Sequence, residues 1–386
     1  MLLPYDPATV LDLTAELDRW KTQLDYRGPV PRTWAGRLRR DLEAEAVAAS
    51  TSMEGVPVTV EEVHHILAGD RPAQTREADA ALVRGYRDAM SFVLRRADDT
   101  TFRWDRELLI GLHDRILAGN WGAGAGRLRT DPAHLVDNRT GDLVFQPPPP
   151  EGVPELVDRA CSVIEKGLEH PAIGAAWIHA AVAAIHPFAD GNGRVARVVA
   201  SLAMYRGGFK LPEFTSPEEW WGRHLSEYYA GFRCLGDTFD PNADVTPFIR
   251  DHLEGQLHQV RALDLRERVQ QRIWTVVEEA VTAAGLDPRV ANAVWDAFFG
   301  RSVTPRYYRS LADVSVATAT KDLAAAVAAG LLRPVGRARS RSYHAGKGLY
   351  TRIGAPLGVP VTESGDPARG TIIGELTKRV ASERSG

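Results

Sequence analysis

The sequence predicts a mainly α-helical protein with one β-hairpin near its middle and a small α+β module towards its C-terminal end. Three observations support this fold class. Apolar residues recur at helical spacing through most segments, strand-forming residues flank a turn-rich stretch at 133–146, and helical runs end in two short strands between 289 and 350. At 386 residues the chain is longer than one average core, so we expect two or three domains.

Composition excludes several classes of protein. Hydrophobic residues make up 44% and charged residues 25% of the chain, which excludes a mainly disordered, collagenous or coiled-coil protein. Cys161 and Cys234 cannot build a disulfide framework, and no CxxC pair suggests zinc. No apolar run reaches the ~18–20 residues that span a bilayer, and the N-terminus lacks the basic start of a signal peptide. We expect a soluble, cytoplasmic protein with no membrane partner.

The N-terminal part of the chain is predicted to be helical. Thr9 can cap a first helix, which the Gly and Pro residues of 28–32 interrupt. A second helix over 34–53, rich in Ala, Leu, Glu and Arg, stops at Gly55, with Pro57 beyond it. Further helical runs cover residues 59–68, 76–94, 106–117 and most of 155–205.

One β-hairpin is predicted between residues 133 and 146. Strands at 134–136 and 143–145 flank residues 137–141, whose Asp, Asn and Gly favour a longer hairpin loop. Four prolines at 147–150 then form a stiff polyproline segment.

The most informative stretch joins two apolar helical runs, 173–185 and 195–205. It reads His186-Pro187-Phe188-Ala189-Asp190-Gly191-Asn192-Gly193-Arg194-Val195-Ala196-Arg197. Pro187 prevents the first helix from continuing, and Gly191 and Gly193 let the backbone turn so that successive N–H groups point into one concavity. That concavity opens onto a helix N-terminus, where free amides and the macrodipole favour an anion.

The side chains of this stretch predict a polyphosphate site. Arg194 and Arg197 lie three residues apart on one helix face, and two guanidinium groups beside an amide nest suit an anion with several oxygens. Asp190 would repel phosphate unless a cation intervened, and Mg²⁺ takes carboxylate and phosphate oxygens together. His186 has an unperturbed pKa of ~6.5, which suits proton abstraction at neutral pH. The structural alternative is a glycine turn between two helices with surface arginines.

The pattern HPFADGNGRVAR resembles the HPFx(D/E)GNGRxxR signature of the Fic (Fic/Doc) family, and the resemblance extends over about residues 80–250. It implies an all-helical Fic-type core that binds ATP with Mg²⁺ and transfers AMP to a Ser, Thr or Tyr hydroxyl of a protein. Kinase-type relatives depart from the GNG pattern, so the resemblance favours nucleotidyl over phosphoryl transfer, although UTP or another activated phosphate would use the same cradle. By matching position it implies His186 as general base, Asp190 as Mg²⁺ ligand, and Gly191, Asn192, Gly193, Arg194 and Arg197 as nucleotide-binding residues.

The resemblance assigns roles to two further segments. The hairpin at 133–146 resembles the family's flap, which aligns an extended segment of the target protein by adding it as a strand. The alternative is an ordinary surface hairpin. Tyr229 falls where related proteins line the adenine pocket, whereas paired tyrosines such as Tyr228 and Tyr229 are also common in cores.

The end of the second helix carries another motif. Ser50 and Glu54 lie four residues apart on one face, followed by Gly55. A carboxylate beside the negative end of a helix dipole is mildly unfavourable and invites a cationic partner. This pattern matches the family's inhibitory motif, (S/T)xxxE(G/N), so we expect Glu54 to pair with Arg197 and obstruct the ATP γ-phosphate. The alternatives are an ordinary helix C-terminus and a de-AMPylase in which the glutamate positions water.

The C-terminal part of the chain is basic. Residues 301–350 carry nine Lys and Arg against two Asp, a net charge of +7, whereas the whole chain sums to −3. Ser315 can cap a second helix, and strands at 331–335 and 341–345 flank a basic loop at 336–340. This order resembles the winged helix-turn-helix modules of many bacterial Fic proteins, and its charge suits phosphate contacts. The chain could therefore be a DNA-binding regulator or toxin-type module whose Fic core senses nucleotide, or the module could dock a protein partner.

The N-terminal helices could form a homodimer interface, but the sequence does not specify an oligomeric state. We expect five segments along the chain. The segments are a helical region with the inhibitory helix (1–75), a Fic core (76–255), a connecting helix (256–288), a winged helix-turn-helix (289–350) and a tail (351–386).

Overall fold

The chain folds into two compact, mainly helical units, which confirms the predicted fold class. The computed structural model describes residues 2–25, 32–70, 72–136, 140–211, 214, 217–337 and 341–383, with the backbone alone described for 32–39. The N-terminal unit comprises Met1–Pro31, Ala35–Val63 and Ala73–Arg261. The C-terminal unit comprises Arg32–Trp34, His64–Pro72 and Ala262–Gly386.

Helices dominate throughout, and the strands form two short hairpins. No helix in the described part of the chain is both long and apolar enough to cross a bilayer. In chain order the elements are α1 (Leu11–Asp25), α2 (Arg32–Met53), α3 (Val60–Leu67), α4 (Glu77–Arg96), α5 (Arg106–Ile116), β1 (Leu135–Val136), β2 (Leu143–Phe145), α6 (Val153–Lys166), α7 (Pro171–Ile185), α8 (Asn192–Arg206), α9 (Glu218–Arg223), α10 (Leu225–Gly231), α11 (Thr246–Ala283), α12 (Ala291–Phe298), α13 (Pro305–Ala312), α14 (Val316–Ala328), β3 (Leu332–Val335), β4 (Ser342–Ala345), α15 (Leu349–Gly354) and α16 (Asp366–Ser382).

The core of the N-terminal unit is built on α7 and α8. All residues of α7 from 172 to 182 are buried, and α8 is buried throughout from 195 to 205. Small residues permit close packing: a Cβ on Gly207, just after α8, would lie 2.1 Å from the Cβ of Pro171. Helices that are apolar on all sides belong in the middle of a core. The turn between them, which carries the predicted motif, is therefore held by two rigid elements.

The first helix does not begin as predicted. A short 3-10 turn, Pro7–Val10, precedes α1, and Asp6 caps it by accepting a hydrogen bond from Ala8 N at 3.0 Å. The predicted cap at Thr9 is wrong, because its hydroxyl donates to the Asp6 carbonyl at 2.9 Å. The carboxylate of Asp6 already reaches the free amides at this end. Of the predicted helix break at 28–32, residues 28–31 lie outside the described residues.

The predicted hairpin is present and is tethered where it ends. β1 and β2 are antiparallel, with Leu135 opposite Phe145 and an irregularity before Val136. After β2, the Gln146 amide donates to the Asp237 carbonyl at 2.9 Å. Residues 137–139 of the predicted loop lie outside the part of the chain that the structure describes.

The C-terminal unit contains two helices followed by a hairpin, in the predicted order. Ser315 caps α14 by accepting from Thr318 N at 3.1 Å, and β3 pairs antiparallel with β4. Residues 338–340 of the predicted basic loop are outside the described ranges. The identification of this arrangement as a winged helix-turn-helix stays a prediction.

Two residues of the basic segment 301–350 are paired within the C-terminal unit. Arg301 lies 3.0 Å from Asp296, and Arg306 lies 3.0 Å from Asp70. The charge open to an external polyanion is therefore smaller than the sequence alone indicates.

Two further features of the chain differ from the sequence prediction. α11 is one continuous helix of 38 residues, so the predicted boundary at 255/256 falls inside it. The segment 351–386, predicted as a tail, contains α16, which buries Ile372, Leu376 and Val380 at helical spacing. This segment is thus a packed part of the C-terminal unit.

Candidate active site

The predicted motif forms a tight turn between α7 and α8. His186 ends α7 in a left-handed conformation with φ 49°, which residues other than glycine adopt at a cost. The Asn192 side chain closes the turn twice: it accepts from Phe188 N at 2.9 Å and donates to the Phe188 carbonyl at 2.8 Å. Asn192 was predicted to bind nucleotide, but its side chain is committed to the turn. Only its backbone, at the start of α8, is left for an anion.

The two glycines of the motif have different roles. Gly191 precedes α8 with φ 78°, as expected for a residue that lets the backbone turn. Gly193 lies inside α8, so the prediction that it also permits the turn is wrong. A Cβ at Gly193 would lie 2.3 Å from Oε1 of Glu54. Gly193 is needed because an acidic side chain from α2 approaches the first turn of α8.

The surroundings of His186 keep its imidazole neutral near pH 7. Burial lowers the pKa of His186 to about 4, against a hydrogen bond with the Ala183 backbone that raises it. Arg129 lowers this pKa further, whereas Glu54 and Asp190 raise it. A neutral ring has a free lone pair, so His186 can accept a proton as the predicted base requires.

Arg194 carries buried donors that lack an acceptor. The residue is 3% exposed, and its Nε and Nη1 atoms are buried without a hydrogen-bond partner among the described residues. Its Nη2 lies 3.4 Å from both carboxylate oxygens of Asp190, and its Nε lies 4.0 Å from Oε2 of Glu54. Unsatisfied buried guanidinium donors are costly. Their position at the N-terminus of α8 suits an anion with several oxygens.

Asp190, the predicted metal ligand, has an accessible carboxylate. Its side chain is 61% exposed, and Oδ1 accepts from Gly191 N at 2.6 Å. Among the residues that the structure describes, no three His, Cys, Asp or Glu side chains are grouped to hold a metal ion. Mg²⁺ typically takes one or two carboxylates and completes its shell with phosphate oxygens and water. The donors present therefore fit a Mg²⁺ ion that is shared with a polyphosphate.

Arg197 is bonded to α2 along most of its guanidinium group. Nε donates to Ser50 Oγ at 2.8 Å, and Nη2 donates to the Ser50 carbonyl at 3.1 Å and to Glu54 Oε1 at 2.8 Å. Burial lowers the pKa of Arg197, but Glu54, Tyr228, Tyr86 and Glu218 together raise it, and the net shift is upward. The structure thus brings together the predicted residues Ser50, Glu54 and Arg197.

The end of α2 is fixed by its backbone cap and by apolar packing. Gly55 has φ 78°, and Val56 N donates back to the Thr51 carbonyl at 3.1 Å. Met53 is buried in a cluster with Trp221 and Tyr228. The position of Glu54 is therefore fixed by the packing of Met53 before it and by the backbone cap at Gly55 and Val56 after it.

The two tyrosines of α10 have opposite exposure. Tyr228 is buried, and its hydroxyl lies 3.0 Å from His179 Nε2 and 3.4 Å from Arg197 Nη1. Tyr229 is 56% exposed and donates to the Met53 carbonyl at 3.4 Å. Tyr229 is thus accessible to a ligand, as its predicted role requires, whereas Tyr228 belongs to the core.

Sequence reasoning missed two buried residues of this site. His113 is fully buried, and its Nδ1 accepts from Gly126 N at 3.2 Å, so Nε2 carries the proton and donates to the Asp190 carbonyl at 3.0 Å. Its ring stacks on Phe188 with centroids 3.9 Å apart. The second residue is Arg129, whose backbone and guanidinium contact the same turn. Neither lies near the motif in sequence, so no spacing could identify them.

A cavity of about 680 Å³ lies between the base of the hairpin and the turn. Its walls include residues 122–124, 127–135, His186 and Ala189. The hairpin beside it exposes three apolar side chains, Val136, Leu143 and Val144, at 49%, 52% and 54%. A short exposed hairpin next to a cavity that reaches His186 can accept an extended polypeptide segment.

Comparison with known proteins finds relatives of this region. Residues 103–204 match the model of the Fic/DOC family. Protein adenylyltransferase fic-1 of Caenorhabditis elegans is 31% identical over 150 residues, which is 37% of this chain and 25% of that protein. Protein adenylyltransferase Fic of Nematostella vectensis is 33% identical over 145 residues, which is 37% of this chain and 30% of that protein. The match spans less than a third of the length of either relative.

The fold is similar to that of a Fic family protein from Desulfovibrio desulfuricans G20. The TM-score is 0.57 at 22% sequence identity, and the alignment covers 89% of this chain and 97% of that chain. At this identity the likeness concerns the fold. It agrees with the mainly helical architecture described above.

Proposed function

We propose that this chain, whose residues 103–204 match the Fic/DOC family, is a protein adenylyltransferase, which transfers AMP from ATP to a hydroxyl of a target protein. One observation carries the proposal: Arg194 holds two buried donors without an acceptor among the described residues, in the same motif as the neutral imidazole of His186. A phosphate-binding cation beside a free base is what attack of a hydroxyl on a phosphorus atom requires.

His186 is the proton acceptor in this mechanism. The target hydroxyl loses its proton to the imidazole as its oxygen bonds to the α-phosphorus of ATP. The bond from that phosphorus to the bridging oxygen breaks, and pyrophosphate leaves. Most of the rate enhancement comes from positioning and charge stabilisation, as in phosphoryl transfer generally.

The N-terminal turn of α8 is the phosphate cradle. The backbone amides of Gly191, Asn192 and Gly193 lie at the positive end of the helix dipole, which favours an anion, although the Gly191 amide also donates to Asp190 Oδ1. Arg194 supplies its unpaired donors to the phosphates. Asp190 would hold Mg²⁺, which when bound neutralises phosphate charge. Tyr229, exposed beside the end of α2, is the proposed adenine contact.

The target protein docks on the hairpin at 133–146. Main-chain pairing with β1 or β2 would lay an extended segment across the cavity that reaches His186. The exposed Val136, Leu143 and Val144 add apolar contact without selecting one side chain. A protein partner is therefore the substrate class that this surface favours over a small molecule.

Glu54 is the proposed brake. Its bond to Arg197 at 2.8 Å occupies the guanidinium that would otherwise bind the outer phosphates of ATP. Gly193 is the residue that lets this carboxylate approach. The inhibited enzyme would therefore place ATP unproductively until α2 releases Arg197. De-AMPylation by the braked form and a DNA-binding role of residues 301–350 stay predictions.

Removing the carboxylate tests brake and activity together. Glu54→Gly should raise auto-modification by about tenfold or more, because a hydrogen bond to a charged group is worth ~1.5–3 kcal/mol and 1.4 kcal/mol corresponds to tenfold. The measurement is the initial rate at which label from ATP carrying a radioactive α-phosphorus becomes protein-bound. Adding His186→Ala to Glu54→Gly should abolish that labelling.

Glu43→Ala is the control for this experiment, because alanine removes a carboxylate from α2 without the loss of helix propensity that glycine would cause in the helix interior. Glu43 lies on the same helix and pairs on the surface with Arg87 at 3.1 Å, so its loss should leave the labelling rate unchanged. An equal rate in Glu54→Gly and the parent would exclude the brake. If the protein takes up label from the γ-phosphorus of ATP and not from the α-phosphorus, the reaction is phosphoryl transfer and the proposal of AMP transfer is wrong.

A further inference from the structure

One buried guanidinium links the hairpin to the turn that carries His186. Arg129 is 6% exposed and precedes β1. Its Nε donates to the His186 carbonyl at 2.8 Å, and its backbone N–H donates to the Pro187 carbonyl at 2.9 Å. Its Nη1 donates to the Asp131 carbonyl at 3.0 Å and its Nη2 to the Pro148 carbonyl at 2.5 Å. Asp131 and Pro148 are the two ends of the segment that contains β1 and β2.

The chemistry of this contact suits arginine specifically. A guanidinium presents five N–H donors in one rigid plane, whereas an ammonium is a compact point charge on a mobile stem. Four carbonyls from three parts of the chain, at Asp131, Pro148, His186 and, more weakly at 3.5 Å, Ile185, share these donors. The carbonyl of His186 also lies at the negative end of the α7 dipole, where a cation is favourable.

The hydrogen bonds of Arg129 fix the position of the hairpin relative to His186. The hairpin is where the proposed target segment would be aligned, and His186 is where its hydroxyl proton would go. Each part is attached to the same planar group, so a shift of one relative to the other must break hydrogen bonds of Arg129. Leaving those buried donors unsatisfied is unfavourable.

We infer that Arg129 is a positioning residue that sets the hairpin in register with His186, so that a target hydroxyl held by the hairpin lies within reach of the imidazole. The inference rests on the proposed function for its catalytic consequence, but the linkage itself concerns the fold alone. Arg129 lines the cavity, but in this role it acts through the hairpin and His186 and not through a bond of its own to nucleotide or target. Its effect on rate passes entirely through geometry and through its charge near His186.

The charge gives a second readout. Besides burial and the hydrogen bond with the Ala183 backbone, the groups that act on the pKa of His186 are Arg129, which lowers it, and Glu54 and Asp190, which raise it. Removing the cation should therefore raise the pKa of His186. Because the neutral ring is the active form, activity should then be lost at a higher pH as the solution is acidified.

Two substitutions in the Glu54→Gly background separate geometry from charge. Arg129→Gln should loosen the hairpin and shift the acid limb of the pH–rate profile upward, whereas Arg129→Lys should loosen the hairpin and leave that limb in place. Both should lower the labelling rate at saturating ATP by about tenfold to a hundredfold, since a displacement of ~1 Å at a reacting centre can cost that much. The apparent KM for ATP should stay within about twofold, because Arg129 is not part of the phosphate cradle.

Hydrogen exchange measures the linkage without any activity. Amides of residues 131–148 should exchange about tenfold faster or more in both variants, as expected when a local tether is lost. Arg206→Gln is the matched control, since Arg206 donates to three backbone carbonyls, at Arg96, Ala97 and Asp99, at the other end of α8. It should change neither exchange at 131–148 nor the labelling rate.

Unchanged exchange at 131–148 in Arg129→Lys, with the variant folded by circular dichroism, would overturn the inference. If Arg129→Gln fails to fold, Arg129→Lys alone decides it. An inactive Glu54→Gly parent would count against the proposed function, whereas the exchange data would still support or overturn the role of Arg129. A loss of rate with normal exchange would also contradict positioning.

Discussion

Two arginines three residues apart on α8 differ in how their hydrogen bonds are satisfied. Arg197 donates to Ser50 and Glu54, whereas Nε and Nη1 of Arg194 have no hydrogen-bond partner in the part of the chain that the structure describes. Arg197 is thus bonded to a carboxylate of α2, whereas Arg194, although 3.4 Å from Asp190, retains donors for a ligand. This difference is what an inhibited but nucleotide-competent site would show.

The hydroxyl of Ser50 should contribute to the brake independently of Glu54. Ser50→Ala removes the acceptor for Arg197 Nε, 2.8 Å away, while the Ser50 backbone carbonyl remains. A single hydrogen bond contributes a net ~0.5–1.5 kcal/mol, so AMP incorporation should rise by about twofold to tenfold, less than in Glu54→Gly. The labelling assay with α-phosphorus ATP measures this rise.

Thr51→Ala is the matched control for Ser50→Ala. Thr51 is buried beside Ser50, but its hydroxyl donates to carbonyls of its own helix, at Val47 and Ala48. Equal stimulation by both substitutions would mean that a weakened helix, rather than a lost bond to Arg197, releases the enzyme.

At the scale of elements, the sequence predicted a helix or strand correctly where the residues that determine it lie within a few positions of one another. The helix predicted over 106–117 is Arg106–Ile116, and the strand predicted at 143–145 is Leu143–Phe145. Short motifs at the end of α2 and the start of α8 together also predicted the contact between Glu54 and Arg197, which the structure contains.

What could not be predicted depends on contacts between distant segments. Gly193 reads locally as a turn residue, and only the approach of Glu54 from α2 explains it. Arg129 and His113 act on the motif turn from outside it, so their roles exist only in the folded chain. The helix α16 is a different case, because its apolar spacing was visible in the sequence and was overlooked.

The end of α2 should act as a unit that the apolar cluster around Met53 holds in place. Met53→Ala removes a buried side chain packed against Trp221 and Tyr228, and such truncations cost about 2–5 kcal/mol. Part of that loss weakens the docked position of α2, so AMP incorporation should rise although Glu54 is intact. The labelling rate and the thermal midpoint should be measured together.

Leu323→Ala controls for general destabilisation. Leu323 is buried in α14 of the C-terminal unit, so its truncation should lower the thermal midpoint without stimulating labelling. If Met53→Ala loses stability but gains no activity, the apolar cluster is not part of the brake.

At the scale of the whole molecule, burial favours the neutral form of four histidines of the N-terminal unit, since it lowers the pKa of His113 as well as those of His179, His186 and His252. Burial lowers the pKa of His186 and of His252 to about 4, and it lowers the pKa of His179 well below its usual range. In the unfolded chain the same rings titrate near ~6.5. Below that pH the unfolded state therefore binds more protons than the folded state, and folding loses stability.

Acidification should therefore lower the unfolding free energy of the protein. The stability held by these rings is fully present above about pH 6.5 and is lost as the pH falls towards the folded pKa values, by up to ~1.4 kcal/mol per pH unit for each ring. His252→Leu removes one ring whose two nitrogens have no hydrogen-bond partner among the described residues, so urea denaturation between pH 6.5 and 4.5 should show a shallower loss of unfolding free energy. His258→Leu, at an exposed position of the same helix, should keep the slope of the parent. Identical slopes in all three proteins would mean that the buried ring is protonated without unfolding, and the buried-histidine account of acid sensitivity would then be wrong.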